Sequence, residues 1–308
     1  MADQLTLGID IGGTRTRAAM VSAQGEILAR RESPTAARGA PEVIVATVAA
    51  LVSDLLRGID RARILAAGVC APGPLDAPRG IALATPTIAG FRDFPLRDRI
   101  AAAIGLPTLL DHDGQAAAFG EWQFGAGRGR ANMVYVTIST GIGGGAVVDG
   151  RLQRGHMGMA AHVGHMTIQP DGPICNCGNP GCWEALASGP AFATAARAAS
   201  FADGAAVFAA MRTGDPGATR LVAQQSRWLA IGLVNLMHIY SPEIIVLGGG
   251  VVAGIDLMRP FIAAEVARRA MAPFRNVTIA RAELLDNAGV IGAAALGRQA
   301  FLAGATPD

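Results

Sequence analysis

The stretch LTLGIDIGGTRTRAAMV, residues 5–21, sets two apolar runs on either side of a turn made of two glycines and a threonine. Leu5 to Ile11 reads as a buried strand and Thr16 to Val21 as its neighbour, because both are rich in aliphatic residues and are interrupted only where the chain must turn. At the junction Gly12 and Gly13 let the backbone bend sharply and present N–H groups, and Thr14 adds a hydroxyl donor. Such a turn suits a phosphate; an ordinary tight hairpin is the other reading of these residues. Asp10 cannot face a phosphate without a cation or water between them, so Asp10-Ile11-Gly12-Gly13-Thr14-Arg15 points to Mg²⁺ at the same place.

Outward from this stretch, Glu26 to Arg31 reads as a third strand, Pro41 to Leu56 as a helix, and Ile64 to Cys70 as a buried strand ending at Ala71-Pro72-Gly73-Pro74. The order is β-β-β-α-β. Helices follow over Pro95 to Ile104 and Gly114 to Phe124, with a short strand at Thr108 to Leu110. Strands resume at Met133 to Ile138 and Gly144 to Val148. Later come a helix near Gly217 to Ile239, a strand at Ile244 to Leu247, a helix at Leu257 to Met271, a strand at Val277 to Ala280 and a last helix from Gly289. These point to an α/β protein of two similar halves, hinged near Leu110 to Gly120. The smaller lobe would be residues 1–113 plus about 289–308, and the larger lobe residues 114–288, with a loop-dominated insert from Arg151 to about Glu184.

The chain has 308 residues and a formal charge of +2, from 26 Lys and Arg against 24 Asp and Glu, which excludes a nucleic-acid-binding surface built on net charge. Hydrophobic residues make up 51% and charged ones 16%, so the chain has ample material for a core and is not disordered. The uncharged run Ala131 to Val148 is broken by four glycines, so no membrane span is expected. Met-Ala-Asp-Gln begins neither a basic nor an apolar leader, which gives a cytoplasmic expectation.

Two further glycine clusters follow strands. In Ile138-Ser139-Thr140-Gly141-Ile142-Gly143-Gly144-Gly145, glycines again stand beside hydroxyls; Gly141 to Ala146 also fits a dinucleotide fingerprint, but the chain then continues as strand, where that fingerprint needs a helix. No GxxxxGK[ST] is present. Gly248-Gly249-Gly250 follows Ile244 to Leu247 and suits close approach to a nucleoside. Three strand-end glycine turns in one chain favour a nucleotide clamped by two lobes.

Cys175, Cys177 and Cys182, with His165 ten residues upstream of the first, supply three thiolates and an imidazole, the donor set of a closed tetrahedral Zn²⁺ site. With every position taken by protein, that metal is structural. Cys70, alone in an apolar strand, reads as core. Asp113, in Asp111-His112-Asp113-Gly114-Gln115, stands where a strand passes into a helix; it suits a helix cap and equally a general base accepting a hydroxyl proton. His162, His165 and Glu184 give the zinc loop a set of polar groups able to bond sugar hydroxyls.

With these residues in place the sequence resembles the ROK family of sugar kinases and repressors, in the wider sugar kinase, Hsp70 and actin ATPase fold, over roughly Leu5 to Leu296. The most specific block runs from Gly164-His165-Met166 to Cys182-x-Glu184, similar to the family's zinc and sugar signature. Asp10 to Arg15 and Ile138 to Gly145 are similar to its two phosphate loops, and Gly248 to Gly250 to its adenosine loop. The resemblance implies ATP-dependent phosphorylation of a hexose hydroxyl, commonly O6, with Asp113 as base, Mg²⁺ bridging the phosphates, and a homodimer. It also implies that His165 touches the sugar as well as zinc, and that Gly73, His112, His162 and Glu184 line the sugar pocket. The first phosphate loop starts at Asp10, which leaves no room before it for a DNA-reading segment. Glucose-type members have Glu-x-Gly-His where this chain has His162-Val163-Gly164-His165, and Asn-Asp where it has His112-Asp113. The His-x-Gly-His form, with Asp-x-Gln-Ala-Ala-Ala from Asp113 to Ala118, is similar to the bacterial N-acetylmannosamine kinases of the family, which makes that amino sugar the leading substrate. Glucose and N-acetylglucosamine are the alternatives.

Overall fold

The computed structural model describes residues 4–85 and 87–304. The residues on which the leader reading rests, apart from Gln4, lie outside that range. In chain order the elements are β1 (Leu5–Ile11), β2 (Arg15–Val21), β3 (Ile27–Pro34), α1 (Pro41–Leu55), β4 (Ile64–Ala71), β5 (Leu75–Asp76), β6 (Ile81–Ala82), α2 (Leu96–Ile104), β7 (Thr108–His112) and α3 (Asp113–Phe124). Then follow β8 (Met133–Ile138), β9 (Ile142–Val148), β10 (Arg151–Leu152), α4 (Trp183–Ala187), α5 (Gly189–Ala198), α6 (Gly204–Arg212), α7 (Pro216–Tyr240), β11 (Ile244–Gly248), α8 (Ile255–Arg269), β12 (Thr278–Arg281) and α9 (Ala288–Leu302). The chain divides into two compact units, one of Met1–Gly129, Leu152–Ala161 and Asp286–Asp308, the other of Arg130–Arg151 and His162–Leu285.

In the first unit the sheet order is β3-β2-β1-β4-β7. β1 to β3 form an antiparallel meander, and β1, β4 and β7 run parallel. All eight residues of β4 are buried, which is why ILAAGVCA reads as one apolar run and not as an alternation. Leu7, Ile9, Ile11, Val48 and Ile100 are among the core residues that β1, α1 and α2 bury together. The other face is closed by α9, which packs on β1, β4 and α3. That packing brings backbones together: a Cβ on Gly292 would collide with the carbonyl oxygen of Ala116, so α3 and α9 can cross this closely only with glycine there.

In the second unit the sheet repeats the same order, β10-β9-β8-β11-β12, with β8 and β9 antiparallel and β8, β11 and β12 parallel. The two halves expected from the sequence are thus alike in strand order. β9 starts at Ile142, two residues before the expected position, so Gly143 and Gly144 pair with Thr137 and Val136 inside the strand. The helices α5 and α6 escaped the periodicity reading because each buries only two side chains. Their caps were legible: the Ser188 side chain accepts from Ala191 N–H ahead of a helix with Pro in its first turn, and Asp203 accepts from Ala206 N–H. The 25-residue helix α7 is capped likewise by Asp215 and packs on α8.

Candidate active site

In the first unit the carboxy-terminal ends of three parallel strands bring polar groups into one row, because the register pairs Asp10 with Cys70 and Cys70 with Asp111. This is the end of a parallel sheet at which α/β proteins place their ligands. Asp10 Oδ2 accepts from Arg17 Nη1 at 3.2 Å, and Asp10 and Arg17 are also cross-strand partners in the β1–β2 hairpin. Burial pushes the Asp10 carboxyl above its usual range, the Asp113 charge adds to this, and Arg17 opposes it. Cys70 lies beneath, its Sγ 3.7 Å from Asp10 Oδ1 and 3.7 Å from the Gly289 carbonyl at the start of α9. Burial drives its thiol well above the ordinary value. The turn itself closes with Gly12 N–H donating to the Arg15 carbonyl at 2.9 Å and leaves Gly13, Thr14 and Arg15 exposed. The turn is therefore a tight hairpin with an exposed tip. Ile11 is buried in the core, and Gly73 lies in the turn after β4.

The β7–α3 junction carries the candidate base. Asp113 Oδ1 accepts from Gly114 N–H at 2.6 Å, and the imidazole Nδ1 of His112 lies 3.1 Å from the same oxygen. The Asp113 side chain is 44% exposed and His112 is buried. Burial lowers the His112 pKa to about 4, against the raising effect of Asp111. Asp111, 2% exposed, takes two donors on one oxygen from Arg154, at 3.1 and 2.9 Å, and accepts from the His112 N–H at 2.8 Å through the other. Gln115 donates to the carbonyls of Gly158 and Ala160 at 3.4 and 3.1 Å. The segment Leu152–Ala161 is thereby fastened to the junction by an ion pair and an amide. Sequence reading assigned no role to Arg17, Asp111, Gln115 or Arg154. Arg17 could have been found from hairpin register; Arg154, 43 residues from its partner, carries no local signal.

In the second unit Ser139 and Thr140 are exposed in a turn closed by Ser139 N–H donating to the Gly141 carbonyl at 2.8 Å. Gly249 has φ of +88° and lies against the backbone of Ile138, so the third glycine cluster packs directly beside this turn, with Gly250 exposed next to it. Glu184 Oε2 accepts from Ile142 N–H at 2.9 Å, and its Oε1 is 3.8 Å from Cys175 Sγ. One carboxylate therefore touches both the Gly-rich turn and the cysteine loop. His162 and His165 lie with ring centroids 6.3 Å apart.

The four expected zinc ligands come together: one donor atom each from His165, Cys175, Cys177 and Cys182 lies within 4.8 Å of the others. Cys177 Sγ and Cys182 Sγ are 3.6 Å apart and Cys175 Sγ is 3.8 Å from His165 Nδ1. A tetrahedron with Zn–S bonds of about 2.3 Å has S···S edges of about 3.8 Å, so these separations fit the ion. Of the sequence-predicted residues, Asp10 to Arg15, Gly73, His112 and Asp113 gather in the first unit. Ser139 to Gly144, His162, His165, Glu184, the cysteines, Gly249 and Gly250 gather in the second.

The sequence profile described as "ROK family" matches residues 6–300. The chain is 34% identical over 316 residues to a glucokinase of Streptomyces coelicolor, covering 96% of this chain and 98% of that one. It is 37% identical over 295 residues to an N-acetylmannosamine kinase of Escherichia fergusonii, covering 94% and 97%. A crystal structure of a ROK family glucokinase from Streptomyces griseus with glucose and AMPPNP matches with a TM-score of 0.83 at 34% identity, over 96% of this chain and 99% of that one. The architecture is the actin-like ATPase fold expected from the sequence.

Proposed function

Because this chain belongs to the ROK family, we propose that it is an ATP-dependent sugar kinase that passes the γ-phosphoryl group to the 6-hydroxyl of a hexose or amino sugar, with N-acetyl-D-mannosamine as the leading acceptor. The observation that carries the reading is the Asp113 carboxylate, half-exposed at the end of β7 with its Oδ1 taken by Gly114 N–H. A carboxylate held this way can accept the hydroxyl proton as the oxygen attacks phosphorus, with the γ-phosphoryl leaving ADP. Phosphoryl transfer asks little covalent chemistry of the protein, so positioning and charge supply most of the rate.

In this reading the turn at Gly12, Gly13 and Thr14, whose Gly13 and Thr14 are exposed, and the turn at Ser139, Thr140 and Gly141, bond phosphate oxygens, while Gly249 and Gly250 lie along the nucleoside. Arg15, Gly143 and Gly144 belong to the same two loops. Asp10 suits Mg²⁺: its carboxyl is pushed up by burial and by the Asp113 charge, which is the environment a cation relieves. Mg²⁺, when bound, neutralises charge on the phosphates. His165 with Cys175, Cys177 and Cys182 would hold zinc, which fixes the loop, and His162, His165 and Glu184 on that loop, with Gly73 and His112, read the sugar.

A coupled assay of kcat/KM across glucose, mannose, N-acetylglucosamine and N-acetylmannosamine tests the substrate. The highest value for N-acetylmannosamine is expected, on the ground that His162 stands where glucose-type members carry Glu. A preference for glucose would replace that assignment with the glucokinase reading, which the 34% relative supports equally in coverage. No turnover of any sugar with ATP would leave a sugar-binding regulator.

A further inference from the structure

Two residues before the candidate base stands a carboxylate that the proposed reaction does not use. The Asp111 side chain, at the end of β7, is 2% exposed. Its Oδ2 takes the Nε and Nη2 donors of Arg154 at 3.1 and 2.9 Å, and its Oδ1 accepts from the backbone N–H of His112 at 2.8 Å. Buried and with both oxygens engaged, it offers no surface to a substrate. A charge carried into the interior is costly unless it is paired, and a buried ion pair adds little stability over apolar residues of the same size. What the pair supplies is direction. Two donors converging on one oxygen hold the carboxylate in a single orientation, and its second oxygen then holds the peptide that leads into Asp113.

From there the bonds run forward along the turn. The His112 ring accepts from Gly114 N–H at 3.3 Å as the cap of α3, and Asp113 Oδ1 accepts from the same N–H at 2.6 Å. Arg154 is itself presented by chain tied to that helix, because the carbonyls of Gly158 and Ala160 in its segment accept from Gln115 in the first turn of α3. We infer that Arg154 is a positioning residue for the candidate base: it holds Asp111, Asp111 holds the His112 N–H, and the turn so fixed sets where the Asp113 carboxylate stands. His112 keeps its place in the proposed sugar pocket, since Asp111 engages its backbone and not its ring. The kinetic part of this inference rests on the kinase reading; the part read from amide exchange does not.

Both parts are tested on the full chain. In amide hydrogen exchange followed by NMR, Arg154→Met is expected to speed exchange at His112 and Gly114 by about tenfold or more, with the amides of β1 and β4 as protected as in wild type. Unchanged exchange at those two amides overturns the inference, whatever the enzyme's activity. Protection lost across the whole first unit would make the pair a support of the fold and refute the positioning role. In steady-state kinetics with the best sugar of the panel, Arg154→Met is expected to lower kcat about tenfold or more, with the KM values for sugar and ATP within about twofold of wild type. The same substitution made in an Asp111→Asn background should cost less than about threefold, because its effect passes through a carboxylate already removed. An equal loss in both backgrounds would mean that Arg154 meets the substrate itself, and a raised KM at constant kcat that it binds sugar or nucleotide; either result refutes the inference. If wild type phosphorylates no sugar, the kinase reading fails, and exchange at His112 and Gly114 alone decides whether Arg154 fixes the turn.

Discussion

Gly141→Ala tests the contact between the Gly-rich turn and Glu184. Gly141 has no left-handed backbone requirement, so alanine is compatible with its conformation, but a methyl there meets Glu184 Oε2 and comes within 3.3 Å of its Cδ. The carboxylate must swing away, and the bond from Ile142 N–H at 2.9 Å is lost. A hydrogen bond to a charged group is worth about 1.5–3 kcal/mol. Against this, exchanging glycine for alanine at a permissive position stabilises by about 0.4–1 kcal/mol through the unfolded chain. The net expectation is a loss of about 1–2 kcal/mol in wild type. With Glu184 already alanine the obstacle is gone, and Gly141→Ala should be stabilising by up to about 1 kcal/mol.

The sign reversal is the test. Urea unfolding of the four proteins of the cycle, followed by tryptophan fluorescence in a Trp122→Phe background, reports on Trp183 and Trp228, both in the second unit. A coupling of about 2 kcal/mol is expected between the two positions. If Gly141→Ala costs the same whether or not Glu184 is present, the carboxylate is not what the new methyl meets, and the link from the turn to the cysteine loop is wrong.

Asp113→Asn keeps the shape of the side chain but removes the base, and kcat should fall by about 10² or more; a loss within about tenfold would refute the assignment. Metal analysis of freshly purified protein should find about one zinc per chain, absent in Cys177→Ser, because that variant leaves only three of four ligands. His112 supplies a pH signature of stability. Its pKa falls from 6.5 to about 4 on folding, so between those values the unfolded chain binds the proton and the folded chain does not. Stability contributed by the neutral ring is present above pH 6.5 and is lost as pH falls towards 4, by about 3 kcal/mol in all. Comparison of wild type with His112→Asn across this range should show that loss in wild type alone, and parallel curves would refute it.

What was legible in the sequence was whatever the chain keeps close to itself. The hairpin around Gly12 and Gly13 and the cysteine cluster declare themselves because their parts lie within a few residues, and β4 because a strand buried on both faces is apolar throughout. The Arg154–Asp111 pair and the Gln115 bonds to Gly158 and Ala160 did not, because each spans about 43 residues with α3, β8 and β9 between the partners, and no local pattern marks the two ends as neighbours. The docking of α9 on β1 and β4 lay hidden for a related reason. It depends on glycines such as Gly8 on β1 and Gly68 on β4, where a Cβ would meet the carbonyl oxygens of Val290 and Ala293, and whose meaning is a close approach to a distant backbone and not a turn.

The position of Glu184 also orders the consequences of losing the metal. Its Oε1 lies beside Cys175 Sγ, while its Oε2 holds the Ile142 N–H at the end of the Gly-rich turn. Removing zinc frees the cysteines and His165 first, and these share the segment that holds His162, with Glu184 in α4 two residues beyond Cys182. Groups proposed to face the sugar therefore lose their anchor directly, whereas the turn proposed to face phosphate is disturbed only through one carboxylate. On graded chelation the sugar KM should rise before the ATP KM does. In Glu184→Ala chelation should still raise the sugar KM but leave the ATP KM where it was, because the carboxylate that carries the disturbance to the turn is no longer there; an ATP KM that rises first, or together with the sugar KM in wild type, would show that the loop and the turn are coupled by another route.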